Sequence, residues 1–315
     1  MLAHQVTVEV ERVVETTGLD QLYSWELVET SNFAPRCSAA GAPTTQAPSA
    51  RFVTVTRDKE VADDVTLFKL DTNGKFEMRH TPGQYVTLRV PAGDGGEPLT
   101  RSWTVVDNPT MLLPSYTNSQ VYLAIKKPLR ETPGGGASEW MHNALTSGME
   151  LECMGVEGSF SMDVMSAEGL AAIPSQLLLL SAGIGITPFV SMLLALQAVL
   201  PHMKSKIDTI EPKDVILLHT DRRLSAIPYR EKLEQLAASS ERWSGGTIAV
   251  RVVWALTDGV ESKRLTAASI EGAAGDVSRR DVMLCGPPPF IEAMYGALGA
   301  LGVPGARIAT ESFLA

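Results

Sequence analysis

The sequence is poor in the residues that hold metals. Only three cysteines occur in 315 residues, Cys37, Cys153 and Cys285. They are too few and too far apart for a four-cysteine iron–sulfur cluster or any CxxC pair. The five histidines, His4, His80, His142, His202 and His219, form no HExxH or other paired spacing. Neither an iron–sulfur centre nor a zinc site, and so no metal, is expected. A sparse, odd cysteine count fits a reducing compartment, so a cytoplasmic location is expected. The N-terminus lacks the basic and apolar regions of a secretory leader, and Glu9, Glu11, Glu15 and Asp20 oppose a transit peptide. Positive charge is also in deficit, 27 Lys and Arg against 36 Asp and Glu, for a net charge of −9. That balance argues against a nucleic-acid or anionic-membrane partner and suits a basic one.

Leu177 to Leu200, LLLLSAGIGITPFVSMLLALQAVL, carries no charge at all. About 20 apolar residues suffice to cross a bilayer, but Gly183, Gly185 and Pro188 divide this run into a strand, a glycine turn and a helix. Four successive leucines fit a strand buried on both faces of a parallel sheet. Thr187 can cap the helix, and Pro188 sits where its missing N–H costs nothing. Gly183 and Gly185 leave room for a ligand at the positive end of that helix, which favours phosphate. A dinucleotide pyrophosphate site, and no membrane span, is the expectation.

Along the chain, residues 1–50 hold a β-like alternation at Val6, Val8 and Val10 and then an Ala/Pro/Ser/Thr-rich linker from Ala34 to Ala50. They are expected to pack one strand on the main body, the alternative being a remnant of, or attachment to, another module. From Arg51, the runs RFVTVTR, DVTLFKLD, QYVTLRV, TRSWTVVD and VYLAIKK, with a later strand near Glu150–Met154, predict an antiparallel barrel interrupted by one helix near Ala137–Leu145. From Leu177 the rhythm becomes strand and helix in turn. Strands are predicted at Leu177–Leu180, Val215–Thr220, Ile248–Trp254, Val282–Leu284 and Arg307–Ala309. Helices are predicted at Thr187–Val199, Tyr229–Ala238, Arg264–Ile270 and Pro289–Leu301. The expected fold is β + α/β: a barrel over residues 51–165, then a five-stranded parallel α/β nucleotide-binding domain over residues 170–315.

Chemistry gathers at the carboxyl ends of the parallel strands. After Val215–Thr220 come Asp221, Arg222 and Arg223. An acid there suits the ribose hydroxyls of NAD and an arginine the 2′-phosphate of NADP, so both nucleotides stay open. Cys285 and Gly286 open CGPPPF at another strand end. In the barrel, Tyr85 belongs to PGQY, and Arg101 and Ser102 adjoin Trp103 and Thr104, a set able to pair a phosphate and stack a flat ring. GGGAS, residues 134–138, opens the lone helix.

PGQY, RSWT, GGGASEWMHN, GIGITP, CGPPPF and a terminal ESF occur in that order on suitable elements. Together they resemble the ferredoxin–NADP reductase superfamily, a flavin-binding Greek-key barrel followed by a pyridine-nucleotide domain. The resemblance implies FAD, with FMN as the alternative, and NADH or NADPH as co-substrate. It implies that Arg101 holds the flavin phosphate, Trp103 stacks on the isoalloxazine in place of a tyrosine, and Thr104 lies near flavin N5. Tyr85 and Ser102 would flank the flavin, and Gly136, Ala137 and Ser138 would meet its phosphates. Gly183, Gly185, Thr187 and Pro188 match the nicotinamide-nucleotide turn. Cys285 and Gly286 would lie beside the nicotinamide, with Glu311 and Phe313 near the flavin, although Leu314 and Ala315 extend past the usual ending. Thr104, Cys285 and Glu311 are the implied catalytic residues. The implied activity is a flavoprotein reductase passing electrons to a separate protein or small acceptor. The alternative is a non-catalytic flavin-binding or regulatory module.

Overall fold

The computed structural model describes residues 29–30, 50–92, 96–106, 119–128, 136–203, 210–258 and 264–312. The alternation at Val6–Val10, the linker up to residue 49, Cys37, Gly134, Gly135 and Phe313 lie outside them. A two-residue strand, β1 (Glu29–Thr30), precedes β2 (Arg51–Ala62), β3 (Val65–Asp71), β4 (Tyr85–Val90), β5 (Leu99–Thr104) and β6 (Gln120–Lys126). Helix α1 (Ala137–Asn143) and β7 (Met149–Glu157) follow. Strands β2 to β7 form one antiparallel sheet in the order β5-β4-β7-β2-β3-β6. A bridge between Val105 and Leu123 brings the two ends together, which makes a Greek-key barrel. Alternation drives this closure: Val53, Val55, Phe68, Leu70, Val86, Leu88, Leu123 and Ile125 all point inward and are fully buried. Trp140 and Met141 of α1 pack onto the same core.

The second sheet contains β8 (Gln176–Ala182), β9 (Lys213–Asp221), β10 (Ile248–Leu256), β11 (Asp281–Gly286) and β12 (Ile308–Ser312). All five are parallel, in the order β12-β11-β8-β9-β10. A sixth strand joins the edge, β1 running antiparallel to β12 with Glu29 opposite Glu311. One strand from residues 1–50 is expected on the main body, but the alternation that suggests it, Val6–Val10, lies outside the described residues, and the two residues of β1 carry no periodicity that would name them or their partner. Around the sheet lie α2 (Ala167–Ala172), α3 (Thr187–Val199), α4 (Arg230–Ala238), α5 (Ser240–Ser244), α6 (Ala267–Ala274) and α7 (Pro288–Ala300). Helix α6 is displaced from the predicted Arg264–Ile270 because Thr266 and Ser269 form a capping box that sets its start.

The uncharged run is now explained. Gly183–His202 is long and apolar enough to cross a membrane, yet 78% of its most apolar window is buried inside the protein. Every residue from Thr187 to Leu196 is buried. Phe189, Val190 and Leu193 share one core with Leu177 and Leu179 of the sheet and with Val65, Leu67 and Phe160 from the barrel side. Gly83 of PGQY seals that join. It has φ +103, and a Cβ there would lie 2.4 Å from the Phe160 carbonyl oxygen and 2.6 Å from Met192 Cε on α3.

Candidate active site at the join of barrel and sheet

Strand order reverses its direction of growth between β8 and β11, so their carboxyl ends form the switch point where ligands of such sheets bind. The β8 strand ends at Ala182, and Gly183, at φ +55, turns the chain into a 3₁₀ turn, Gly183–Ile186, that runs straight into α3. Helix α3 therefore has Ile186 and not Thr187 at its N-cap; Thr187 Oγ1 donates to the Ile184 carbonyl at 2.9 Å. The two glycines also differ in purpose. Gly183 supplies the left-handed backbone that other residues resist. Gly185 faces β11, where a Cβ would meet Cys285 O at 2.6 Å and Gly286 Cα at 2.8 Å. Its missing side chain serves the approach of two backbone segments.

Register sets His219, Ser181, Cys285 and Glu311 side by side across β9, β8, β11 and β12. Partners in adjacent strands share a face, so this is one row of polar side chains, and all four residues are 0% exposed. Ser181 Oγ lies 2.9 Å from His219 Nδ1. His219 Nε2 lies 3.8 Å from Asp221 Oδ2, too long for a hydrogen bond. Asp221 Oδ1 accepts from the Arg222 N–H at 2.7 Å, and Oδ2 is 3.5 Å from Lys126 Nζ, which reaches over from the barrel. The Lys126 ammonium also stands over the glycine turn, 3.9 Å from where a Gly183 Cβ would be. Burial, reinforced by the charge of Glu311, pushes the Cys285 thiol well above its usual range. Cys285 therefore presents a neutral S–H.

Burial also lowers the pKa of His219, against the pull of Asp221. For Asp221 burial works upward, but His219, Lys126 and the Arg222 N–H outweigh it and the net shift is downward. Both shifts have one sign for stability. The unfolded chain takes up protons that the folded groups refuse, so each contribution is complete above the unfolded pKa and is lost as pH falls. For His219 the loss begins below about 6.5. Denaturation midpoints measured between about pH 7 and pH 5 should fall with acidification. The slope should flatten in His219→Gln; part of it will persist, because burial lowers His142 as well. An unchanged slope would rule out His219 as its source.

On the barrel side, Arg101 and Trp103 stand opposite Leu88 and Val86, which are buried in the barrel core. Trp103 is only 7% exposed and donates through Nε1 to Ser138 Oγ at 3.3 Å. Its ring thus lies between the core and the start of α1. Burial lowers the pKa of Arg101. Tyr85 and Thr104 face each other across β4 and β5, and Ser102 Oγ is 2.8 Å from Thr87 Oγ1. The Tyr85 ring needs Gly158, since a Cβ there would come within 2.9 Å of Cε1. Gly136 is the N-cap of α1 without a side-chain cap, followed by Ala137 and Ser138. Thr104 Oγ1 and Ser312 Oγ are buried hydroxyls with no hydrogen-bond partner among the described residues. Such orphans are costly unless a ligand completes them, and this pair lies near the residues expected to meet a flavin. The residues present fit that group. Among the described residues no His, Cys, Asp and Glu form a metal-holding cluster.

Sequence reasoning missed Lys126, Ser181 and His219. Lys126 ends a barrel strand and resembles any solvated terminal lysine, and no spacing links it to Asp221, 95 positions on (221 − 126). Ser181 and His219 were visible only as members of apolar strands.

Residues 52–162 match the oxidoreductase FAD-binding domain model and residues 179–295 the oxidoreductase NAD-binding domain model. The glycine betaine monooxygenase reductase subunit of Pseudomonas aeruginosa is 29% identical over 236 residues, covering 74% of this chain and 56% of that protein. The stachydrine N-demethylase reductase subunit of Rhizobium meliloti is 29% identical over 268 residues, covering 83% of this chain and 65% of the relative. The chain thus spans roughly half to two thirds of the length of these relatives. In structure it is similar to the cytochrome b5 reductase domain of Ulva prolifera nitrate reductase, with TM-score 0.61, 19% identity and coverage of 86% of this chain and all of that domain. It is also similar to phthalate dioxygenase reductase, with TM-score 0.55, 17% identity and coverage of 83% and 67%. Barrel, switch-point turn and paired matches give the chain an oxidoreductase FAD-binding domain followed by an oxidoreductase NAD-binding domain. Its fold is the one that these two reductases share.

Proposed function

We propose that this chain is an NAD(P)H-dependent flavoprotein reductase, with residues 51–165 carrying FAD and residues 170–315 the nucleotide. The observation that carries the reading is the meeting of the two halves at one point. The glycine turn, Cys285 and Glu311 end the sheet, and the barrel's Lys126 reaches the same turn. FAD, when bound, supplies the acceptor for the hydride of NAD(P)H. The protein's part is to hold the reacting rings together in a dry crevice. Arg101 and the Gly136–Ser138 segment bind phosphate through charge and free N–H groups. Thr104 Oγ1, buried without a hydrogen-bond partner among the described residues, would orient the flavin by a hydrogen bond. Cys285, kept neutral, positions the nicotinamide by packing and by its S–H. Buried Glu311 stabilises charge changes in the crevice and can move a proton through its carboxyl group. The uncapped, left-handed turn at Gly183, with Lys126 over it, receives the nucleotide pyrophosphate.

The three cysteines of these residues cannot ligate a four-cysteine cluster, so electrons leave the flavin for an acceptor that residues 1–315 do not hold. The names of relatives, reductase subunits of a monooxygenase and of a demethylase and the ferredoxin reductase component of a third system, favour an oxygenase component or a ferredoxin as that acceptor. The test is direct. Purified protein is expected to be yellow, and its visible band to bleach anaerobically on adding NADH or NADPH. A colourless protein that FAD and FMN cannot reconstitute would overturn the proposal. Reoxidation by ferredoxin, haem protein or quinone would then identify the class of acceptor.

A further inference from the structure

We infer that the barrel decides the nucleotide, selecting NADH by using Asp63 and Asp64 to hold Arg222 and Arg223 away from a 2′-phosphate. The inference rests on the reductase reading above and deepens it. In sheets of this kind the residues just past the second strand meet the adenosine ribose, an acid favouring the free hydroxyls and arginines the 2′-phosphate. Here Asp221, Arg222 and Arg223 occupy that place, and read alone they favour neither nucleotide. Their partners in the fold resolve the ambiguity.

The turn between β2 and β3 reaches across from the barrel and docks on this segment. Asp63 N donates to Ser225 O at 2.8 Å, and Ser225 Oγ donates to Asp63 Oδ2 at 2.6 Å. The turn is fixed from behind as well, where the Lys127 N–H donates to Asp64 O at 2.6 Å. In that position Asp64 Oδ2 lies 3.6 Å from Arg222 Nη2, and Asp63 Oδ2 lies 3.3 Å from Arg223 Nη2. Asp221 is equally committed, one oxygen to the Arg222 N–H and the other facing Lys126. Three carboxylates therefore face three cations. A ribose hydroxyl tolerates this neutral patch, whereas a 2′-phosphate would have to break both arginine pairs and approach three carboxylates. All four side chains of the arginine pairs are between 34% and 54% exposed, so the effect is screened and moderate.

The test compares parent protein with Asp63→Asn/Asp64→Asn, which keeps the turn's size but frees the arginines. Anaerobic bleaching rates with NADH and NADPH are measured, together with calorimetric binding of 5′-AMP and of adenosine 2′,5′-bisphosphate, which needs neither hydride transfer nor flavin. The parent is expected to favour NADH and 5′-AMP. The variant is expected to improve roughly tenfold toward NADPH and the bisphosphate, with NADH rates little changed. Arg222→Gln/Arg223→Gln in the parent, which leaves the aspartates in place, is expected to alter NADPH use by less than about twofold. A parent that prefers NADPH would overturn the inference. So would an unchanged preference in a variant that melts like the parent, or a large loss of NADPH use in the arginine variant, which tests the point even if the aspartate variant does not fold. If neither nucleotide bleaches the protein but bisphosphate binding improves as stated, the reductase reading fails and the role of the aspartates stands.

Discussion

Gly185→Ala is expected to lower stability by about 2–4 kcal/mol and to slow reduction by NAD(P)H at least ~100-fold. The added methyl would sit 2.6 Å from the Cys285 carbonyl oxygen and 2.8 Å from two further backbone atoms of Cys285 and Gly286. No flexible side chain end is among these contacts, so the 3₁₀ turn itself must withdraw from β11. Restoring an ordinary contact requires a shift on the order of 0.8 Å, and misplacements near 1 Å cost reactions of this kind about two orders of magnitude. The stability loss is read from denaturant melts and the rate from anaerobic bleaching. Gly296→Ala provides the control. It lies within α7 with nothing within 4 Å of the added carbon, so stability should rise by up to ~1 kcal/mol with an unchanged rate. If Gly185→Ala behaves like that control, the close approach of turn and strand is not what the glycine serves.

Lys126→Met is expected to destabilise the protein by about 2–3 kcal/mol, and Asp221→Asn in the same chain to restore much of that loss. The Asp221 side chain is 3% exposed and that of Lys126 20%, so removing the ammonium leaves a nearly dry carboxylate beside a neutral His219. Breaking one partner of a buried pair costs more than removing both, because a lone buried charge has no solvent to turn to. The partial exposure of Lys126 places the expected value below the full range for a dry pair. A double-mutant cycle in denaturant decides the matter. Additive losses from the two single changes would mean that the ions do not interact. The same variant should weaken nucleotide binding, since Lys126 stands over the glycine turn.

The architecture was largely legible from the chain because its two halves use different periods. Alternation of two in RFVTVTR and QYVTLRV marks strands with one wet face, and LLLL followed by a glycine turn marks a strand with none. The strand and helix bounds differ from expectation mainly by a few residues at their ends, as at Arg51–Ala62, which runs five positions past the predicted Arg57 (62 − 57). Local sequence does not contain β1, whose two residues become a strand only by pairing with β12. The site was half visible. Glycines, Thr104, Cys285 and Glu311 belong to recognisable local patterns, whereas Ser181, His219 and Lys126 acquire meaning only from register and from the docking of two domains. Asp221 and Arg222 were visible but ambiguous, because what decides their chemistry is a carboxylate or ammonium more than 90 positions away in the chain. Trp103 shows the converse: a motif can name a residue while the fold sets its ring against the barrel core and Ser138.

The contact at Gly83 bears on how such proteins can be recombined. A glycine of the barrel fits against Phe160 and the Met192 side chain of the nucleotide half with no space for one more carbon. Chimeras that graft this barrel onto the sheet of another protein of this fold must therefore carry over α3, or at least the residue at position 192. Grafts that cut at the apparent boundary near residue 165 would separate the peg from its socket, and a clean seam in sequence would become a mismatched joint.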